Sequence, residues 1–458
     1  MDGLECSVIY RSSLNCELRI DSEYHKKRFL QDDSSIHKYH TVLIGAIATV
    51  SDGQHGYHEE DASSPIHMLT AKNTKDWFAN LVDTIRIAKW VDDNNKRSSL
   101  SVDDIILSTR GTVGKCALVK ADILPANLDQ DVARISFTNV QIAPAFVLCY
   151  LNSIFGQDWM VRNQTGMVQQ GLSLEKVRQI PIPQMSITFQ DKICEIVENA
   201  FARKKESVWS YDAANRILDN MIGIKDLCAT TISKKSFFQS FVKTGRLDAE
   251  YYQPKYEAIV KKLNTRETVL SLCNLHDKNY NPDAKQTYQY IELADVGQSG
   301  DISDVDIQYG SDLPTRARRI VKSGQVIVPS VEGSLQSCAL ITDEYDGVLC
   351  STGFYVLDSD CINSETLLVL FKSEPIQALM KQRCSGTILT AISKDELLSM
   401  PLPMIDEDDQ KAIAAKVQES VSLRRQSKQL LEYAKQAVEM AIEQGEDTAL
   451  EWLKDKVD

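Results

Sequence analysis

At 458 residues, with 43% hydrophobic and 25% charged side chains, the chain has room for about three domains of ordinary globular composition. Its net charge of −13 argues against a nonspecific nucleic-acid binder, while leaving room for local basic faces. No apolar run is long enough to span a membrane and the first residues do not resemble a signal peptide. The 11 cysteines are scattered without a C-x-x-C pair, which fits reduced thiols in a cytoplasm and neither a disulfide framework nor a zinc site.

The N-terminal segment holds S-V-I-Y-R-S-S-L followed by E-L-R-I-D-S-E-Y-H (17–25). The middle of the chain holds K-S-F-F-Q-S-F-V followed by G-R-L-D-A-E-Y-Y-Q (245–253). Arg19, Asp21, Glu23 and Tyr24 match Arg246, Asp248, Glu250 and Tyr251 at a constant offset of 227. Arg19 with Glu23 reads as a structural ion pair in a turn. V-L-I-G-A-I-A-T-V (42–50) is strand-like and ends in the Gly-rich turn S-D-G-Q-H-G, and P-I-H-M-L-T (65–70) reads as another strand. D-D-I-I-L-S-T-R-G-T-V-G-K-C-A-L-V (103–119) reads as strand, tight turn, strand, and P-A-F-V-L-C-Y-L-N-S (144–153) as a helix. The second half repeats the order at 287–296, 324–341 and 365–373, with Gly111, Cys116, Ala117 and Leu118 matching Gly333, Cys338, Ala339 and Leu340.

The strongest repeat begins at Gly166. Gly166, Ser173, Pro181, Pro183 and Gln190 match Gly386, Ser393, Pro401, Pro403 and Gln410, every pair 220 residues apart, which marks an internal duplication. In each copy a short amphipathic segment ends at Pro-x-Pro, which cannot continue a helix and forces an extended exit. Ser186 and Asp406 then stand as caps to long helices. Seam positions at alternating steps of four and three include Ile193, Val197, Ala200, Ser207, Ala214 and Leu218 in the first helix. The second has Ile413, Val417, Ser420, Ser427, Leu431 and Val438. This heptad period predicts that the two helices pair. The markers divide the chain into an N-terminal segment (1–18), a first globular domain (19–185), a long helix (186–224) and a connector (225–245). A second globular domain (246–405), a second long helix (406–445) and a C-terminal tail (446–458) follow. The predicted fold is mixed α/β: a pseudo-two-fold duplication of two globular domains joined by two long antiparallel coiled-coil helices.

No catalytic constellation emerges. R-G-T-V-G-K-C has Thr109 where a phosphate loop needs its first glycine, and Cys116 where it needs Ser or Thr. N-P-D (281–283) is not an adenine methyltransferase motif, and His55 and His58 lie in a polar loop without metal-ligand spacing. Neither a metal nor a cofactor is expected.

The doubled G…L-S…P-x-P…Q pattern with its helix, R-L-D-A-E-Y-Y-Q-P-K-Y (246–256), S-D-G-Q-H (51–55) and the hairpin 105–115 resemble the specificity subunit of type I restriction-modification systems over nearly the whole chain. The resemblance implies that each globular unit is a target recognition domain reading half of a split double-stranded DNA site. It also implies that the helices act as a spacer and dock two methyltransferase subunits, through which restriction and translocase subunits join. Catalysis would reside in those partners. Such a module reads base edges with Arg, Lys, Asn, Gln, Glu or Asp and takes its orientation from backbone contacts. The candidates in the first half are Thr109, Arg110 and Lys115 in the hairpin turn, with Arg162, Asn163, Gln164 and Gln169 before the helix. In the second half they are Ser330, Glu332, Ser334, Gln336 and Ser337, with Lys381, Gln382, Arg383 and Thr387. A second reading is a coiled-coil adaptor that joins two protein partners and never touches DNA.

Overall fold

The computed structural model describes all residues except 1–6, 11–18, 57, 139–141, 167–169, 224–231, 243, 298, 303, 304, 306, 387–389 and 458. The chain forms two compact units, residues 1–203 with 425–458 and residues 204–424. Both long helices begin in one unit and end in the other.

In unit 1, helix α1 (Lys27–Ile36) precedes β1 (Thr41–Leu43), one helical turn α2 (Ile44–Ile47) and β2 (Ala48–Asp52). The apolar run 42–50 is therefore not one strand. Ile44 and Ile47 are buried on one side of the turn, a three-residue step that suits helix as well as an apolar run suits strand. Strands β3 (Ile66–Leu69) and β4 (Ile85–Ile87), helix α3 (Lys89–Asn94), and strands β5 (Ile105–Ser108), β6 (Cys116–Leu118), β7 (Ala126–Leu128) and β8 (Val132–Phe137) follow. Helices α4 (Pro144–Asn152), α5 (Ile154–Arg162) and α6 (Leu174–Arg178), strand β9 (Pro181–Pro183) and the long helix α7 (Ile187–Ile222) complete the first half.

Unit 2 repeats the plan. Helices α8 (Pro254–Leu263) and α9 (Val269–Leu272) lead to strands β10 (Asn274–Leu275), β11 (Thr287–Ile291), β12 (Ile307–Tyr309), β13 (Ala317–Ile320), β14 (Val326–Pro329), β15 (Ala339–Leu340), β16 (Leu349–Ser351) and β17 (Phe354–Asp358). Then come helices α10 (Ser364–Lys372) and α11 (Glu374–Arg383), strands β18 (Cys384–Ser385) and β19 (Ala391–Ile392), helix α12 (Lys394–Leu398) and the long helix α13 (Glu407–Gln444). The last residues form helix α14 (Glu446–Val457) where a tail was expected. Ala449 and Leu453, four residues apart, are buried in the core of unit 1.

The sheets carry the duplication into topology. Unit 1 has a four-stranded antiparallel sheet in the order β2-β8-β5-β6, and unit 2 matches it with β10-β17-β14-β15. Each lies beside a mixed sheet, β4-β3-β7 or β12-β11-β16-β13, with one parallel pair apiece. Alternation explains why the central strands are wholly apolar. In β5, Ile105 and Leu107 face the helices while Ile106 joins a second core with Leu69, Ala117 and Val132. In β14, Val326 and Val328 face the helices while Ile327 joins Ile291, Ala339 and Val356.

The helix pairing is antiparallel within each unit. In unit 1, Ile193, Val197 and Ala200 pack with Leu431, Ala434 and Val438, and Ser427 donates to the Ala200 carbonyl (2.7 Å). In unit 2, Tyr211, Ala214 and Leu218 pack with Ile413 and Val417, and Ser207 and Ser420 share a hydrogen bond of 3.2 Å. Full burial of each such Ile, Leu or Val is worth about 1.5–3 kcal/mol. The serine hydroxyls keep the seam polar at these two steps, where a slipped register would leave them unpaired.

Candidate nucleic-acid interface

The repeated residues have assigned jobs, and those jobs fix the candidate surface. Ser173 and Ser393 cap α6 and α12, accepting from the Lys176 and Glu396 amides. Pro181–Pro183 pairs with β1, and Pro401 bridges to Thr268. Gln190 accepts from the Ala143 amide (2.9 Å) and donates to the Met185 carbonyl (2.9 Å). Gln410 accepts from the Asn363 amide (2.8 Å) and donates to the carbonyls of Ile405 and Cys361 (2.9 Å each). Each glutamine thus ties the start of a long helix to the N-cap of the helix that covers the sheet. Ser186 accepts from the Phe189 amide at the start of α7.

The two exposed hairpin turns are anchored alike. Thr109 donates through its hydroxyl to the Asp131 carbonyl (3.0 Å), and its own carbonyl accepts from Leu172 (2.9 Å). Ser330 donates to the Gly353 carbonyl (2.9 Å), and its carbonyl accepts from Ile392 (2.8 Å). Bridges Arg110–Gly171 and Val331–Ala391 extend each zipper. Gly166 and Gly386, at φ +114° and +131°, start the loops so joined, in backbone that L side chains rarely adopt. Each hairpin turn is thereby clamped to the loop preceding the short helix. Gly53 in S-D-G-Q-H serves a different need: a Cβ there would lie 2.1 Å from the Leu128 and Asp129 carbonyl oxygens.

The candidate contacts fall into two groups. Arg110 and Lys115 are exposed, and Arg110 pairs with Asp131 at 3.4 Å. Gln336 and Lys381 are exposed, while Gln164, Glu332, Ser334 and Ser337 are half-buried. The second group is engaged inside the fold. Thr109 is buried, and Ser330 spends its hydroxyl on Gly353. Arg162 donates to the Tyr24 carbonyl (2.7 Å), pairs with Asp33 and lies 4.1 Å from the Tyr24 ring centroid, with its side chain 8% exposed. Gln382, its counterpart, donates to the Tyr251 carbonyl (2.9 Å). Asn163 is buried and bonded to the Trp159 carbonyl (2.9 Å). Arg383 bonds the Leu379 carbonyl (3.2 Å), and burial pushes its guanidinium below the ordinary arginine value. Gln169 and Thr387 lie outside the described residues.

Sequence reasoning missed the reason for this inward commitment. Arg162 and Gln382 hold the R-x-D-x-E-Y turns against α5 and α11. In those turns Arg19 pairs with Asp21, and Arg246 with Asp248, so the expected partner Glu23 is not the one used. The nearer carboxylate, two residues away, lets each arginine also reach a carbonyl of the globular domain, Arg162 or Gln382 (3.4 Å each). A further repeated pair also went unread. Gln157 donates to the Gly114 and Leu151 carbonyls, and Gln377 to those of Leu335 and Phe371, so each supports the back of a hairpin turn. Their signal was present as S-x-x-x-Q at 153–157 and 373–377, again 220 residues apart.

Among the described residues no group of three or more His, Cys, Asp or Glu is placed to hold a metal ion, and no helix is long and apolar enough to cross a membrane. The arrangement offers two similar scaffolds presenting different exposed polar side chains.

No family model matches the chain. Over 143 residues it is 29% identical to the type I restriction enzyme EcoBI specificity subunit of Escherichia coli, a match spanning 31% of this chain and 30% of that protein. The type I restriction-modification S subunit from M. genitalium aligns over 88% of this chain and 95% of its own, at 12% identity and a TM-score of 0.37. The HsdS subunit from Thermoanaerobacter tengcongensis aligns over 89% and 97%, at 14% identity and a TM-score of 0.29. Over those 143 residues the chain is similar in sequence to the specificity subunit of a type I restriction enzyme.

Proposed function

We propose that the chain is the non-catalytic DNA-recognition subunit of a type I restriction-modification complex, each globular domain reading one half of a bipartite duplex target. The observation that carries this reading is the pair of hairpin turns, anchored by equivalent bonds yet presenting unlike side chains: Arg110 and Lys115 in one, Glu332 and Gln336 in the other. Two half-sites of different sequence call for such a pairing of common scaffold and distinct readout. The long helices hold the domains at a set spacing and dock two methyltransferase subunits, which bring the restriction and translocase subunits. The apolar side chains left exposed near each R-x-D-x-E-Y turn are surfaces a protein partner would cover. They include Val8, Tyr10 and Ile20 in one arm and Phe237, Phe238 and Leu247 in the other.

Duplex binding by the full chain co-expressed with its neighbouring methyltransferase tests the reading. Binding should be sequence-selective and should weaken as salt rises. A complex that forms without any preference for a duplex sequence would favour the adaptor reading instead. The purified chain alone should neither methylate nor cleave DNA.

A further inference from the structure

Although the two units share one plan, the contact between the arm helix and the globular domain is built from different chemistry in each. In unit 2, α8 packs on α11, with Ile259 and Leu370 fully buried in one apolar core and Ala378 packed against that core. Applying the repeat offsets, unit 1 has Asp32, Tyr150 and Asp158 at those positions. Asp32 on α1 and Asp158 on α5 line the same narrow crevice, together with Phe29, Ile36 and Phe155. One Asp32 oxygen and the Tyr150 hydroxyl are buried without a partner among the described residues, although Tyr150 is 0% exposed. Around this pair stand Arg28 and Asp33 from α1, Arg162 from α5 and Tyr150 from α4. Arg28 pairs with Asp158 (3.4 Å), and Asp33 with Arg162.

We propose that Asp32 and Asp158 form a proton-dependent latch that fastens α1 to α5 in unit 1 alone. Two carboxylates this close repel when both are ionised, whereas one shared proton turns the contact into a hydrogen bond. Burial and the neighbouring Asp158 push Asp32 up to about 6. Docking is therefore favoured while the proton is held, and that contribution is lost as pH rises through about 6. The same helices carry the Arg19–Tyr24 turn through Arg162, so the latch governs how firmly the N-terminal arm sits. Unit 2, with Ile259 and Ala378 at these positions, has no such dependence.

Amide exchange of the full chain, corrected for intrinsic rates, tests this, with α8 as the internal reference for α1. Between pH 5.5 and 8 the protection of α1 should fall roughly fourfold relative to α8, if undocking returns Asp32 to its ordinary value. Asp32→Asn keeps a donor toward Asp158 and should hold α1 at its low-pH protection throughout. Asp158→Asn should do the same from the other side. An α1 profile that follows α8 across this range, or one that neither variant changes, would overturn the latch.

Discussion

Replacing Gln410 with leucine tests whether the duplicated glutamine is a clamp between a long helix and the globular domain. The side chain is buried and makes three bonds, one from the Asn363 amide and two to the Ile405 and Cys361 carbonyls. Leucine fills similar volume but leaves the Asn363 amide and two carbonyls short of a partner, at about 1–3 kcal/mol for a buried unpaired group. We expect unit 2 to lose about 2–4 kcal/mol, since the neighbouring backbone can relax in part. Gln190→Leu removes the bonds to the Ala143 amide and the Met185 carbonyl and should cost unit 1 less. Urea unfolding gives the totals, and amide exchange locates them: α10 should lose protection in the Gln410 variant while α4 does not. A loss below about 0.5 kcal/mol, the scale of an ordinary surface substitution, would refute the clamp.

Two further outcomes follow from the proposed DNA role. Arg110→Ala should weaken binding by about 1–3 kcal/mol and relax one half-site if the guanidinium reads a guanine; competition binding with half-site variants measures this, and unchanged affinity with an unchanged salt slope removes Arg110 from the interface. Inserting one heptad into both long helices keeps the seam in register and adds about 10 Å, so mapped sites should keep their half-sequences with the gap widened by about three base pairs; an unchanged gap at full affinity would end the role of the helices as a ruler.

Much of the architecture could be read because duplication makes one sequence supply its own comparison. Gly166 with Gly386, and the Pro-x-Pro pairs, mark places where backbone geometry restricts the residue type, so the repeat survived where side chains diverged. The long helices α7 and α13 were legible from their period. The direction a polar side chain faces was not. Arg110 and Arg162 look alike in a sequence, yet one sits on a turn and the other is clasped by Tyr24 and Asp33. Only the facing element, 129 or more residues away in the chain, separates them. The helical turn Ile44–Ile47 was missed because a short apolar run suits either period. Helix α14 was missed although Ala449 and Leu453 carry a helical step, since the charged residues around them read as a solvated end.

The central claim, that each domain reads its own half of a split site, is tested most directly by mapping methylation in cells carrying the chain with its methyltransferase. Two double variants are compared with the parent: Arg110→Ala with Lys115→Ala, and Gln336→Ala with Lys381→Ala. The account predicts a two-part site in the parent, loosened only in one half by the first variant and only in the other half by the second. A continuous site, or variants that each blur both halves together, would contradict it.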